Sequence, residues 1–331
     1  MTGQQHRRAI VAVQALLSAA LLTWLMVSAD WRAMVVVLRT VSPAIVGIGV
    51  GVYLLGVLAS CLKWHLLLRL EGISVPISRL ARWYLIGAFA SNFLPTDIGG
   101  DFGRGYLAAR ATRRPLGVAR SILLERLSGL LFLLGLAGTG ALALWSAQHA
   151  AIAGALAVLL TLGVLGWSQA RHSASGALAA WQARIPARLR ALTTDSTALL
   201  ARGTRQPTLV AMVLILSLGI QLLAGLGLWL NMRAVGLTLP LWPSVLAWSL
   251  ASAISLLPVS INGWGVREGL LVALLTPLGA ESGAVLAGAL LARGLVLGCS
   301  LPGALLLPLE ARGTPLHSHE LAQAPEGYDG H

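Results

Sequence analysis

Apolar residues form long continuous runs separated by short polar links. A helix needs roughly 20 apolar residues to cross a bilayer, and six runs approach that length: 9–29, 43–62, 122–145, 150–167, 207–230 and 284–307. Because the runs do not alternate with a period of two, a transmembrane barrel is excluded. The pattern predicts an all-α polytopic membrane protein with about six full transmembrane helices, the first of them an uncleaved span.

Shorter apolar runs lie between these spans. Run 83–94 has about 12 residues, too few to cross roughly 30 Å of hydrocarbon at 1.5 Å per residue. It either enters the membrane and turns back or is one half of a broken helix. Run 241–257 ends at Pro258 and is followed by a short run, 269–278. We therefore expect two short re-entrant or broken helical segments.

The sequence around the two short segments is repeated. The stretch from Phe93 to Arg104 aligns without gaps on the stretch from Leu256 to Arg267, at an offset of 163 positions. The identical pairs are Leu94/Leu257, Pro95/Pro258, Ile98/Ile261, Gly100/Gly263 and Arg104/Arg267. For either copy alone, an ordinary loop rich in turn residues is an equal alternative. Two matching copies favour an internal repeat.

Basic residues in the links set the predicted topology. The link 171–205 contains six arginines and the single acid Asp195, which is typical of a cytoplasmic loop. On this count the first copy is entered from the cytoplasm and the second from outside, so the repeat is inverted and both termini are cytoplasmic, at the inner membrane. We expect one transmembrane domain, 1–309, with halves of about 9–146 and 150–309. The tail, 310–331, is polar and expected to be disordered.

Paired short segments interrupted by Gly and Pro indicate a transporter binding site at the midplane. The reason is that a broken helix leaves backbone N–H and C=O groups that must face protein, water or a polar ligand instead of lipid. Charged residues near the breaks strengthen this interpretation, because charges inside a membrane usually serve function. The predicted substrate-binding residues are Asn92, Pro95, Asp97, Gly100, Asp101, Arg104, Glu125, Arg126, Pro258, Asn262, Gly263, Arg267, Glu268 and Arg293.

All the basic members of this set are arginines, whose planar fork suits a phosphate or a carboxylate. A structural role is the alternative, in which acidic and basic residues neutralise each other between helices. Arg293 lies close to the middle of its predicted span, so it needs a partner. We expect that partner to come from the other half, most simply Glu125, with Asp101 as the alternative.

Composition excludes several other classes of function. The net charge of +12 comes from 24 basic and 12 acidic residues, but the basic residues lie beside apolar runs and not on a soluble domain, which argues against nucleic-acid binding. Cys61 and Cys299 lie within apolar runs and are expected to be buried. No phosphate-binding loop, zinc spacing or catalytic triad is evident, so we predict no catalytic residue, metal or cofactor.

Three motifs in order resemble a known family. They are Asn92-Phe-Leu-Pro with Gly99-Gly-Asp and Arg104, Ser121 with Glu125-Arg126 and Gly129, and Leu257-Pro with Gly263 and Gly265-Val-Arg-Glu268. The chain is similar to the flippase-like transmembrane domain of lysyl-phosphatidylglycerol synthases and its stand-alone relatives. The resemblance covers roughly residues 8–309 and implies a membrane domain that translocates or handles lipid. The aminoacyl-transferase domain of the bifunctional synthases has no counterpart in this sequence.

Three hypotheses follow. The first is a flippase or transporter for an anionic or polyprenyl-linked envelope lipid, with the headgroup held by Arg104, Arg126, Arg267 and Arg293. The second is a membrane enzyme or accessory subunit in lipid-linked glycan, hopanoid or aminoacyl-lipid synthesis, with Asp97, Asp101 or Glu125 as acid or base. The third is a structural subunit that binds envelope-synthesis enzymes. Membrane lipid is the expected substrate in the first.

Overall fold

Every element in the described part of the chain is a helix. The computed structural model describes residues 41–93, 99–143, 206–256 and 260–311, with residue 23 in addition. Four stretches are long and apolar enough to cross a membrane: Pro43–Leu70, Pro115–Gly140, Pro207–Ala234 and Ser282–Glu310. The helical membrane class predicted from sequence is confirmed. The predicted spans 9–29 and 150–167 lie outside the described residues.

The described part of the first half, 41–93 and 99–143, contains four helices. They are α1 (Pro43–Leu70), α2 (Ile77–Phe93), α3 (Gly99–Thr112) and α4 (Pro115–Ala143). Proline begins α1 and α4, where its fixed φ and missing N–H suit the first turn of a helix. Helices α2 and α3 pack against each other as a hairpin across residues 94–98. The short run predicted at 83–94 is therefore the end of a 17-residue helix that begins at Ile77.

The second half has the same order. It contains α5 (Pro207–Ala234), α6 (Leu241–Ile254), a 3-10 turn (Ile261–Gly263), α7 (Val266–Leu275), a second 3-10 turn (Thr276–Leu278), α8 (Ser282–Ser300) and α9 (Pro302–Ala311). The run predicted at 284–307 is thus divided between two helices, with α9 beginning at Pro302.

The two halves correspond helix by helix. The starts of α5 and α6 follow those of α1 and α2 by 164 positions, and the starts of α7 and α8 follow those of α3 and α4 by 167. Packing partners correspond as well: α1 lies against α5, α2 against α8, and α4 against α6. The difference of three positions arises in the second break, which contains the additional turn at Ile261–Gly263.

Helix α9 packs on α2 of the first half. A Cβ atom at Gly303 would overlap the Leu85 carbonyl group, so the two helices approach as closely as glycine allows. At the end of α9 the buried Glu310 carboxylate accepts a hydrogen bond of 2.9 Å from Trp83 Nε1 and lies 3.3 Å from Arg82 Nε. Glu310 was the first residue of the predicted tail, and the helix that contains it continues to Ala311.

We expect Trp83→Phe to destabilise the protein by about 1.5–3 kcal/mol, because it removes a hydrogen bond to a charged group. Trp229→Phe is the matched control, since Trp229 Nε1 donates to the neutral Leu239 carbonyl at 2.8 Å and its loss should cost only about 0.5–1.5 kcal/mol. Thermal unfolding of both variants in detergent tests the difference. Equal losses would show that the charge of Glu310 contributes nothing at this contact.

Candidate functional site

A mostly apolar cavity of about 410 Å³ lies among α1, α2, α5, α6, α7 and α8. This volume is within the range of small-molecule sites in proteins. Its apolar walls come chiefly from α1, α5 and α8 and include Val52, Leu223 and Val296. Six polar side chains of the lining lie at the end of α2, in or just after the second break, or on α8: Ser91, Asn92, Asn262, Arg267, Glu268 and Arg293. Tyr53, Ser60, Tyr84 and Asn231 are polar members of the other walls. The cavity therefore offers an apolar compartment beside a polar, charged one.

The second break contacts the end of α2 at this polar part of the cavity. Asn262 Nδ2 donates a 2.7 Å hydrogen bond to the carbonyl oxygen of Ser91, which lies in the last turns of α2. Asn262 has φ of +54°, a left-handed conformation that asparagine tolerates better than most residues. The turn Ile261–Gly263 of the second half is thus attached to the end of α2 in the first half.

Glu268 and Arg293 form a buried ion pair within the second half. Glu268 Oε1 lies 2.8 Å from Arg293 Nη2, and its Oε2 accepts a 2.7 Å hydrogen bond from the Gly265 backbone N–H. The carboxylate therefore also caps the start of α7, where the helix dipole favours a negative charge. The Arg293 guanidinium lies 4.3 Å from the ring centroid of Trp264. Both members of the pair line the cavity.

Arg267 is the other cation of the cavity lining. Its guanidinium lies over the Trp248 ring, 5.1 Å from the centroid, a geometry in which the ring face attracts the cation. The side chain is partly exposed and comes from the first turn of α7. Arg267 and Arg293 thus reach the cavity from α7 and α8, each held against an indole ring.

The charged residues of the first half form a different arrangement. Arg104 is 4% exposed. Its Nη2 lies 2.7 Å from Asp101 Oδ1 and 2.9 Å from Glu125 Oε2. Its guanidinium also lies 4.7 Å from the ring centroids of both Trp64 and Tyr84. Arg126 Nε donates to the second oxygen of Asp101. We call Asp101, Arg104, Glu125 and Arg126 the first-half network.

The expected pairing of Arg293 with Glu125 or Asp101 is wrong. Glu125 and Asp101 are held by arginines of their own half, whereas Arg293 pairs with Glu268. The physical reason is that the N-terminus of α7 lies beside α8, which places a carboxylate from the same half within reach. Arg104, Arg126 and Arg293 are therefore each paired with a carboxylate of their own half.

The structure brings only part of the predicted site together. Asn92, Asn262, Arg267, Glu268 and Arg293 line the cavity. The other described members do not: Asp101, Arg104, Glu125 and Arg126 form the first-half network, Gly100 lies at the contact of α2 with α3, and Gly263 lies in the turn before α7. Pro95, Asp97 and Pro258 lie outside the described residues.

Several residues at the site had no counterpart in the sequence prediction. Trp248 and Trp264 lie against the two cavity arginines, and the Ser91 carbonyl oxygen accepts the hydrogen bond from Asn262. Trp264 follows Gly263 in the repeat motif, and this position in the motif was the signal from which its place at the site could have been predicted. Trp64, which lies just after the predicted span 43–62, is fully buried against Arg104.

Comparison with known proteins agrees with this architecture. A family model described as the lysylphosphatidylglycerol synthase TM region matches residues 11–303. The chain belongs to this family. The predicted resemblance is thereby confirmed. No curated protein matches the chain. The described residues of the cavity lining all lie within the stretch matched to the lysylphosphatidylglycerol synthase TM region. The site is therefore part of the family domain. Membership of this family supports a membrane function related to lipid.

Proposed function

We propose that the chain is a flippase-like lipid transporter whose cavity takes an anionic or polyprenyl-linked envelope lipid. One observation carries the proposal: an apolar compartment continues into a polar one that contains two arginines and the hydrogen bond between Asn262 and the end of α2. A lipid has the same division, with apolar chains and a charged headgroup. Arg267 and Arg293 would hold the headgroup, because an arginine fork matches phosphate oxygens.

The transport mechanism that we propose uses the correspondence of the halves. In this proposal they form an inverted repeat of six full spans in the inner membrane, with both termini cytoplasmic, and rocking of the first half, together with α9, against the rest of the second half exposes the cavity to each leaflet in turn. Its support is the recurrence of helix order and packing partners. Transporters built from inverted repeats bind substrate where discontinuous helices meet.

An enzyme is less well supported by the described residues. Asp101 and Glu125, two of the three carboxylates considered as acid or base, are each engaged by arginine. Neither of them lines the cavity.

Reconstitution in liposomes tests the proposal. Fluorescent-acyl phosphatidylglycerol placed in both leaflets should become fully accessible to a membrane-impermeant reductant when the full-length chain is present, without covalent change to the lipid. We expect Arg293→Ala and Arg267→Ala each to reduce the rate by about tenfold to a hundredfold, the equivalent of roughly 1.5–3 kcal/mol for a lost charge-assisted hydrogen bond.

The matched control is Arg110→Ala, which changes an exposed arginine at the end of α3 and should leave the rate unchanged. Lipid that changes leaflet only together with a covalent modification would favour the enzyme hypothesis. Equal rates for Arg293→Ala and the wild type would remove the arginines from the mechanism.

A further inference from the structure

The ion pairs of the two halves occupy equivalent positions. Asp101 and Glu268 are the third residues of α3 and α7, and Arg126 and Arg293 are the twelfth residues of α4 and α8. In each half the carboxylate and the arginine are 25 residues apart in sequence, and the arginine donates through Nε. The offset of 167 positions therefore aligns Asp101–Arg126 with Glu268–Arg293.

The same alignment shows what the second half lacks. Arg104 and Glu125, which form the additional buried pair of the first half, correspond to Leu271 and Ala292. Both of these residues line the cavity. The cavity lining thus has an aliphatic side chain and a methyl group at the positions where the first half has an arginine and a glutamate.

This difference gives the two pairs different surroundings. In the first-half network two arginines and two carboxylates neutralise one another, and Asp101 is shared by both arginines. In the second half Glu268 holds Arg293 with one oxygen and the Gly265 N–H with the other. If an anion took the place of Glu268 on Arg293, the carboxylate would keep its backbone hydrogen bond and its position at the start of α7.

The charge of the cavity limits which anion fits. The charged residues among the described part of its lining are Arg267, Arg293 and Glu268, whose formal charges sum to +1. A headgroup with a single phosphodiester neutralises this charge, whereas a diphosphate leaves excess negative charge beside apolar walls, where burial of charge without a partner is costly.

We propose that Glu268–Arg293 is an exchange site, in which the phosphodiester of a lipid replaces the Glu268 carboxylate on Arg293, while the first-half network is a fixed structural element. This inference rests on the proposed function and narrows it to lipids with one phosphodiester charge. In this proposal Glu268 sets the affinity for lipid, because its carboxylate competes with the phosphodiester for Arg293. The ligand can bind in the second half because this half has no counterpart of the Arg104–Glu125 pair.

The decisive measurement is binding of fluorescent-acyl phosphatidylglycerol to the full-length chain in detergent. Glu268→Gln keeps an oxygen that can accept the Gly265 hydrogen bond but removes the competing charge, so we expect affinity to rise by about tenfold. The matched control Glu281→Gln changes an exposed glutamate before α8 and should leave affinity unchanged. If Glu268→Gln binds no more tightly than the wild type, the exchange is refuted, although transport by the wild type would still support the proposed function.

A second pair of variants tests the role of Leu271 and Ala292. Leu271→Arg with Ala292→Glu should recreate the additional ion pair and reduce affinity at least tenfold more than the neutral Leu271→Gln with Ala292→Gln. Equal affinities of the two double variants would overturn the inference. A polyprenyl diphosphate that displaces the probe lipid more effectively than unlabelled phosphatidylglycerol does would refute the single-charge limit. If inorganic phosphate displaced the probe as well as unlabelled phosphatidylglycerol does, the site would be one for free phosphate. Wild-type protein that binds no lipid would refute the proposed function itself.

Discussion

Glu125→Ala is expected to destabilise the protein by about 3–5 kcal/mol, the usual cost of leaving one member of a buried ion pair without its partner. Arg104, 4% exposed, would keep Asp101, but Asp101 is also bound by Arg126. Two guanidinium groups would then share one carboxylate in a buried environment. Thermal unfolding in detergent, followed by the yield of monodisperse protein on heating, measures the loss.

The double variant Arg104→Leu with Glu125→Ala is the control for this prediction. It introduces the residues that the second half has at the equivalent positions, Leu271 and Ala292, and removes both charges together. Replacement of a buried ion pair by apolar residues is often neutral or stabilising, so we expect the double variant to recover most of the stability lost in Glu125→Ala. A double variant less stable than the single one would show that the arginine is needed for packing against Trp64 and Tyr84.

Gly100→Ala should be the most damaging glycine substitution in the α2–α3 hairpin. A Cβ atom at Gly100 would overlap the Ser91 hydroxyl and the Gly87 carbonyl oxygen, and a carbonyl fixed in a helix cannot move aside without shifting the backbone. We expect a loss of about 3 kcal/mol, the upper part of the usual range for overpacking, with displacement of the end of α2 that carries Asn92. Both the melting temperature and lipid binding should therefore fall.

Gly103→Ala in the same helix supplies the comparison. A Cβ atom there would lie 3.9 Å from the Ala90 Cβ, an ordinary contact, and alanine favours the helical conformation over glycine by about 1 kcal/mol. Gly103→Ala should accordingly match or exceed the wild type in stability. Equal melting temperatures of Gly100→Ala and Gly103→Ala would show that α2 and α3 do not approach closely at Gly100.

The helix starts were the part of the fold that could be predicted best from sequence. Pro43 and Pro207 begin both a predicted span and a helix, because proline at the first turn is a local signal. The end of α1 was placed too early, at residue 62. Lys63 and Trp64 resemble a membrane interface in sequence, yet both are buried: Trp64 Nε1 donates to the Ser121 hydroxyl and Lys63 Nζ to the Glu125 carbonyl oxygen. Such tertiary contacts leave no periodic pattern in one chain.

The internal correspondence was predictable in outline but not in register. Identities concentrated at Gly and Pro positions align Arg104 with Arg267 at an offset of 163, whereas the helices after the breaks align Asp101 with Glu268 at 167. An ungapped comparison cannot include the longer second break. For that reason the sequence could not pair Arg293 with Glu268, although both residues belonged to the predicted site.

The attachment of α9 to α2 bears on how the protein can move. By chain order α9 belongs to the second half, yet Gly303 and Glu310 join it to the first hairpin. A simple rocking of one half against the other would have to break these contacts. The body that moves with the first half should therefore include α9, so the boundary between the two moving bodies does not coincide with the boundary between the sequence halves.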